Sequence, residues 1–491
     1  MAEAEAIGSF RLGRLRLIRL PPSSISLPAS GSKKPHTAQI ELAVGVTDDY
    51  GTDLMFDSVD LRMEVLDGGT LEPPAGVILR LANSSSASSA PNSAVFTFSP
   101  SNGPFHTLKL SLTFQPAFLT CPVLPSLSFR LSVDPRRPLP AKASEATRCV
   151  RTLVGEIDQA VVETWDDRRY VLMGVRSGDM GVKVEGREVK IASEKGEIFH
   201  PVSSVHLQTA LRTIYLPFSS RAPSDSPPSS SSGATSLPSA SPSSPPISIV
   251  ERPGLNNSTG QRLWDCAIGM SAFLSLFPHA LDASAPLPPI SAANYDEPSS
   301  KKRRVENCVG GRKRRIRVVE LGAGCALVSM AASRILSSAP VAGEASVLAT
   351  DVEATVETTL RENLEANSAG KAVEAAVLDW GELSQEAVDS VVGGRARRPR
   401  SDSHHDEETS LTLLATDVLY NPSSHDLLLS TLLSLLQPHS SPATLPASRR
   451  ALIAYKRRTE GDDGFFSLAK DAGLEVTKVW EWGEVSVWSF V

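Results

Sequence analysis

The chain's 491 residues exceed one ordinary domain, so two or three are expected. A formal charge of −6 gives no global attraction to nucleic acid or membrane, and 36 prolines with 32 glycines signal long connections. Five cysteines without C-x-x-C or Cys/His ligand spacing argue against a structural zinc and a disulfide framework, as in a reducing compartment.

The first patterned segment, "FRLGRLRLIRL", sets Arg11, Arg14, Arg16 and Arg19 among leucines. Its alternation suits a strand, and Glu3 and Glu5 upstream speak against a transit peptide. Period-two patterns follow in "HTAQIELAVGV", "SVDLRMEVLDG", "SAVFTFSP", "FHTLKLSLTFQ" and "LSFRLSVDP", separated by Pro, Gly, Asn and Ser clusters. They predict a β-sandwich or small barrel over residues 8–135. Beyond it, "EIDQAVVETW" has helical character and "GVKVEGREVKIAS" reads as a hairpin. No catalytic constellation stands out in residues 8–218, which read as a β-rich domain for binding or docking.

Residues 219–246 hold 13 serines and 7 prolines in 28 positions, with Leu237 the only large aliphatic. Such a stretch cannot offset the entropy of ordering and is expected to be a disordered linker. From 247 to 491, strand and helix patterns alternate. "RIRVVEL", "SVLATD", "LTLLATDVLY" and "RRALIAY" read as strands, while "EATVETTLRENLEAN", "SSHDLLLSTLLSLL" and "DDGFFSLAKDAG" read as helices. "LEVTKVWEWGEVSVWSFV" closes the chain as a hairpin about Trp482 and Gly483. The alternation predicts a doubly wound α/β sheet with one antiparallel strand near its edge. No apolar run approaches the ~20 residues that span a bilayer.

In such a sheet a ligand sits over the carboxyl ends of the strands. Glu320, Gly322 and Gly324 lie just past the first strand, where glycines let the backbone approach a ligand. The dinucleotide fingerprint wants a third glycine at 327 and finds Leu327, so a nucleoside carrying an amino acid fits better than a pyrophosphate. Asp351 ends the second strand, where a carboxylate can accept both ribose hydroxyls, or else cap the helix that starts near Glu353. In "LDWGE", Asp379 could accept from an adenine amino group, with Trp380 as a flat wall. The glycines could equally serve strand-to-helix packing.

Five ordered segments carry a resemblance: "VVELGAGCALVSM", "ATDVEATVETTLRENLEAN", "LDWGE", "LLATDVLYNPSSHDLLLSTL" and "ALIAYKRRTEGDDGFFSLAKDAGLEV". With "GQRLWDCAIGMSAFL" upstream, residues 247–491 resemble the seven-β-strand S-adenosylmethionine-dependent methyltransferases, in their protein-lysine methyltransferase branch. The resemblance implies a doubly wound seven-stranded Rossmann-like sheet, S-adenosylmethionine as cofactor, and a lysine-bearing protein as substrate. It places Glu320, Gly322 and Gly324 at the methionine part of the cofactor, Asp351 at the ribose, and Asp379 with Trp380 at the adenine. Trp264 would close the pocket, although alone it would read as a core residue. The D-x-x-Y motif matches Asp417 and Tyr420, which would stand beside the transferable methyl as the catalytic pair. Alone, Tyr420 would read as core packing, whereas a carboxylate at a strand end such as Asp417 is costly unless used or paired. Ala326 stands where relatives often have Gly, and extra loops occupy 280–315, 393–410 and 438–448. The resemblance covers nothing of residues 1–218.

"KKRRVENCVGGRKRR", residues 301–315, reads as a bipartite nuclear localisation signal, as an electrostatic footprint for an acidic substrate or nucleic acid, or as a solvated insert loop. His404 and His405 invite a metal reading, but they sit in a Pro/Ser-rich insert and no metal site is expected. The expected location is the cytoplasm, with the nucleus admitted by the basic clusters. Neither membrane nor nucleic acid is an expected partner, and a monomer is. Two rival functions stay open: a methyltransferase for another nucleophile (His, Arg, an N-terminal amine or a small molecule), and a non-catalytic binding protein built on a methyltransferase-like domain.

Overall fold

The computed structural model describes residues 10–28, 34–82, 90–121, 124–134, 145–154, 161–163, 165–166, 168–185, 210–216, 245–252, 259–288, 314–338, 343–393, 409–437 and 448–491. The Ser/Pro stretch up to residue 244, the basic clusters up to 313 and the insert bearing His404 and His405 lie outside them.

The first half contributes β1 (Phe10–Arg19), β2 (Ser24–Leu27), β3 (His36–Thr47), β4 (Val59–Asp67), β5 (Val77–Leu81), β6 (Ser93–Phe98) and β7 (Phe105–Phe114). After them come β8 (Leu127–Val133), β9 (Val161–Glu163), β10 (Arg169–Met173), β11 (Val175–Ser177), β12 (Gly181–Val184), β13 (Ala210–Ile214) and, past the Ser/Pro stretch, β14 (Ile247–Glu251). Two six-stranded sheets form, ordered β5-β7-β3-β1-β10-β9 and β14-β13-β11-β8-β4-β6. The alternating residues of both, such as Leu42, Val44, Leu110 and Leu112 from one and Leu61, Met63, Phe129 and Leu131 from the other, bury into one core. This is the arrangement in which each strand turns one face inward.

One local expectation needs correction. Where "EIDQAVVETW" suggested helix, Val161 and Val162 lie in β9, opposite Val171 and Tyr170 of β10, because β-branched residues pack better on a pleat than on a helix. The helix comes earlier, as α1 (Glu145–Leu153). The first strand of the expected hairpin is β12, which pairs parallel with β2, and the rest of that segment lies outside the described residues.

The second half is an α/β Rossmann-like unit. Its strands are β15 (Arg314–Leu321), β16 (Gly343–Asp351), β17 (Val373–Val377), β18 (Thr409–Thr416), β19 (Ser448–Lys456), β20 (Val476–Trp482) and β21 (Val485–Phe490). They run in the order β17-β16-β15-β18-β19-β21-β20. All neighbours from β17 to β19 are parallel, and β21 is antiparallel to both β19 and β20. Strand order reverses between β15 and β18, which makes the loops after those strands the walls of a crevice. The helices are α2 (Asp265–Leu276), α3 (Leu327–Ser338), α4 (Arg361–Ala366), α5 (Gln385–Gly393), α6 (His425–Leu436) and α7 (Gly464–Asp471). One sheet face packs on α2 and α3, the other on α5, α6 and α7. Among the described residues no helix is long and apolar enough to cross a membrane.

The halves are fused through a common interior. Leu12, Val150, Leu153, Ile214 and Ile249 of the first share a core with Met270, Phe273, Trp482 and Val487 of the second. β14, directly after the Ser/Pro stretch, hydrogen-bonds to β13 in the first-half sheet. Its free edge is closed by two asparagines one helical turn apart. Asn363 accepts from the Val250 N–H at 2.7 Å and donates to the Val250 carbonyl at 3.2 Å. Asn367 does the same with Ser248, at 2.8 and 2.7 Å. A carboxamide carries one acceptor and two donors, so it can complete a strand edge as another strand would.

Candidate functional site

The loop after β15 takes three left-handed residues, Gly322 (φ 66°), Gly324 (φ 49°) and Ala326 (φ 58°). Glu320 ties the strand end to α3, its Oε2 accepting from the Ser329 N–H at 2.8 Å and the Ser329 hydroxyl at 2.5 Å. Burial pushes the Glu320 carboxyl up to about 7, against the Ser329 hydrogen bonds that favour its charge. A Cβ on Gly322 would sit 3.0 Å from Val418 Cγ1 and 3.6 Å from Trp380 Cζ2. One on Gly324 would sit 3.3 Å from the Gly260 carbonyl. Glycine is required here because three other segments converge on the loop, and the packing reading and the ligand reading both survive that fact.

Asp351 sits at the C-terminal end of β16. Its Oδ2 accepts from the Gly324 N–H and its Oδ1 from the Val352 N–H, each at 2.8 Å. The carboxylate therefore joins two loops rather than capping the helical turn at Glu353, whose N-cap residue is Val352. Burial raises its carboxyl above the ordinary value. The Thr355 side chain is a further hydrogen-bond partner of this carboxylate. Asp379 is exposed and opens the turn Trp380–Glu382, accepting from the Gly381 N–H at 2.8 Å. Trp380, half-buried, stands beside Gly322.

Asp417 follows β18 with φ 58°, a left-handed backbone that Asp tolerates better than most side chains. Its N–H donates to the Ala454 carbonyl at 3.1 Å, pinning the corner to β19. Its carboxylate accepts from Arg458, from Nε at 3.1 Å and also from Nη2. Burial lifts the Asp417 carboxyl above its ordinary value despite the Arg458 guanidinium, which pulls the other way. The Arg458 guanidinium lies 5.0 Å from the Trp264 ring centroid. Trp264 donates from Nε1 to the Thr259 carbonyl at 2.9 Å, and the Thr259 hydroxyl meets the Tyr420 hydroxyl at 3.1 Å. Tyr420 is 45% exposed, so it is not a core residue. The structure thus places eight of the nine residues singled out in the sequence on the loops at the carboxyl ends of β15 to β18 or on the segment before α2, with Glu320 buried against α3 beneath them.

Sequence reasoning missed Thr259, Lys456 and Arg458, and it missed two first-half residues, Asp49 and Tyr50. Asp49 accepts from Arg458 Nη1 at 2.7 Å and from Lys456 Nζ at 2.9 Å. The Tyr50 ring centroid lies 4.6 Å from the same guanidinium. Lys456 continues to Asp265 at 3.0 Å, Asp265 to Arg14 at 2.7 Å, Arg14 to Glu251 at 3.6 Å, and Glu251 to Arg212 at 2.9 Å. From Asp417 to Arg212 the charges alternate in sign and cross between the halves. The one local signal was the period-two pair Lys456 and Arg458 at the end of an apolar strand, since such a buried cation must be paired. Among the described residues no group of three His, Cys, Asp or Glu side chains could hold a metal.

Residues 243–393 match the model of a family described as lysine methyltransferase. The methyltransferase resemblance holds. The match supports the methyltransferase resemblance over that stretch, and it ends before Asp417, Tyr420 and Arg458, whose placement rests on geometry alone. No curated protein matches the chain. Solved structures similar to it include a METTL16 methyltransferase domain, at 13% identity over 36% of this chain and 59% of that one, TM-score 0.24. A human methyltransferase 10 domain containing protein is 10% identical over 36% and 70%, TM-score 0.24. The N-terminal domain of human METTL16 in complex with SAH is 12% identical over 37% and 62%, TM-score 0.23. The chain thus spans about three-fifths of the METTL16 structures it matches.

The residues present suit the cofactor. Two left-handed glycines keep the loop free of side chains next to Trp380, Asp351 stands at the end of β16 with its carboxylate toward that loop, and Trp380 offers a ring face beside Gly322.

Proposed function

We propose that the protein is a protein-lysine N-methyltransferase, acting on the side-chain amine of a lysine in a protein substrate. The observation that carries this reading is Asp417, a buried carboxylate on a left-handed corner beside the glycine loop, held by Arg458, whose guanidinium lies over Trp264, with Tyr420 three residues on. The description of the matching family supports lysine as the acceptor. In this reading Glu320, Gly322 and Gly324 hold the methionine part of the cofactor, Asp351 the ribose hydroxyls, and Asp379 with Trp380 the adenine. Trp264 closes the crevice.

When bound, S-adenosylmethionine supplies a methyl group on a sulfonium, open to in-line attack by an amine. The chain's task is then to place a neutral amine and hold it. A free lysine, with pKa near ~10.4, is an ammonium at neutral pH. The buried cations Arg458 and Lys456 disfavour a second ammonium beside them, and a partly desolvated channel does the same. Asp417 accepts the amine N–H, fixes its lone pair and takes the departing proton, while Tyr420 walls the channel. The same reading makes the protein a monomer of the cytoplasm or nucleus.

The test is the identity of the methylated atom. Protein labelled by the enzyme with methyl-labelled cofactor is hydrolysed in acid and its amino acids separated. Label in methyllysine supports the reading. Label in methylhistidine, methylarginine or a blocked N-terminal residue replaces lysine with that nucleophile, and label in small molecules alone removes the protein substrate.

A further inference from the structure

We propose that the loop joining β3 to β4 in the β-rich half is part of the catalytic site, with Asp49 the positioning residue for Asp417 through Arg458. This rests on the reading of Asp417 as the group that receives the substrate amine.

The loop is built to present two residues. Asp48 accepts from the Tyr50 and Thr52 N–H groups at 2.9 and 2.8 Å, and Gly51 takes φ 90°. This tight turn drives Asp49 inward until its side chain is 0% exposed, and leaves Tyr50 at the surface, 48% exposed. Asp49 then binds Arg458 Nη1, while Nε and Nη2 bind Asp417. All three guanidinium nitrogens are thereby engaged by carboxylates from opposite halves, 409 positions apart for the Asp49 bond. A guanidinium is a rigid planar fork, so fixing Nη1 fixes the direction in which Nε and Nη2 meet Asp417. Tyr50 and Trp264 flank the guanidinium at 4.6 and 5.0 Å. Removing Asp49 frees one corner of the fork, and the carboxylate that receives the amine loses its fixed orientation.

Two ways for Asp49 to act give opposite pH signatures. Asp417 is faced by Arg458 from the β19–α7 loop, by Asp49 from the β3–β4 loop, and by Asp265 and Cys266 from α2. If Asp49 acted by charge alone, losing it would remove a neighbouring anion and lower the Asp417 pKa. If it positions Arg458, losing it weakens the guanidinium's hold and raises that pKa. The acid limb of the rate then moves toward higher pH.

The experiment uses the full chain, unmutated and as Asp49→Asn, Asp49→Glu, Tyr50→Ala and Asp417→Asn. Transfer of label from methyl-tritiated S-adenosylmethionine to proteins of an extract lacking the enzyme is followed against pH, and cofactor affinity is measured separately by calorimetry. Asp49→Asn is expected to lower transfer by about tenfold to a hundredfold, with cofactor affinity within about twofold and the acid limb moved up. Asp49→Glu should recover part of the rate. Tyr50→Ala, at an exposed position that folding tolerates, should lower transfer by about threefold to tenfold with the same direction of shift. Transfer by Asp49→Asn equal to the unmutated chain, or an acid limb unmoved or moved down, overturns the proposal; if that variant does not fold, the same outcomes in Tyr50→Ala do so. An inactive Asp417→Asn beside a fully active Asp49→Asn refutes only this inference, whereas a fully active Asp417→Asn refutes the underlying reading of Asp417 as well.

Discussion

Glu251 is the buried charge that ties β14 to β1 and β13 of the first half. It ends β14, is 4% exposed, and sits between Arg212 at 2.9 Å and Arg14 at 3.6 Å while accepting from the Leu263 N–H at 2.9 Å. Glu251→Gln keeps the shape and an acceptor but leaves two buried guanidiniums facing a neutral amide. Removing one partner of a buried ion pair costs about 3–5 kcal/mol, because the remaining charge has no water to return to. Burial alone would raise the Glu251 carboxyl, yet Arg212 and Arg14 overcome it and hold the carboxyl below its ordinary value. For an acid with a depressed folded pKa, the stabilisation is complete above the unfolded pKa, about 4.3. It is lost as pH falls through the lower folded value. Urea unfolding followed by circular dichroism and tryptophan fluorescence should therefore show a deficit of about 3–5 kcal/mol at pH 7 that shrinks below about pH 4. A deficit under about 1 kcal/mol at pH 7, or one that grows in acid, would refute the claim that this charge holds β14 against β1 and β13.

Asn363→Ala should cost about 3 kcal/mol in the same unfolding assay, since it strands the Val250 N–H and carbonyl at a buried strand edge. An unchanged urea midpoint would mean that water replaces the carboxamide. Gly322→Ala forces an L-residue to φ 66° against Val418 and Trp380 and should weaken S-adenosylmethionine binding by at least about tenfold in calorimetry. Unchanged affinity would assign that glycine to packing alone.

The second half was legible because each strand and helix announces itself locally. "RRALIAY" is buried on both faces and became β19, and Gly473 and Gly483 end α7 and turn the last hairpin with φ 89° and 57°. Glu320, Asp351 and Asp417 were legible for the same reason, since each lies at or just past the end of a strand that its neighbours define, whereas Trp264, which precedes α2, and Tyr420 were singled out by the resemblance. What escaped is long-range. β14 is a five-residue apolar strand whose partner β13 lies across the Ser/Pro stretch, and nothing in its pattern names that partner. Asp49 is an ordinary turn aspartate in "TDDYG" until Arg458 is brought to it. Helix α1 was missed because its nine residues stand alone between stretches without periodicity. Ala326 shows the reverse case: an alanine, it takes the left-handed backbone that favours glycine, which its residue type does not announce.

The central claim is that a carboxylate on the corner after β18 receives a substrate amine. Asp417→Asn tests it most directly, because Asn accepts the left-handed backbone that Ala would strain and changes little but the charge. Transfer of methyl label to extract proteins should be lost in the variant while S-adenosylmethionine affinity, measured by calorimetry, stays within about twofold. Undiminished labelling would contradict the account, and loss of cofactor affinity equal to the loss of transfer would move Asp417 from the substrate to the cofactor.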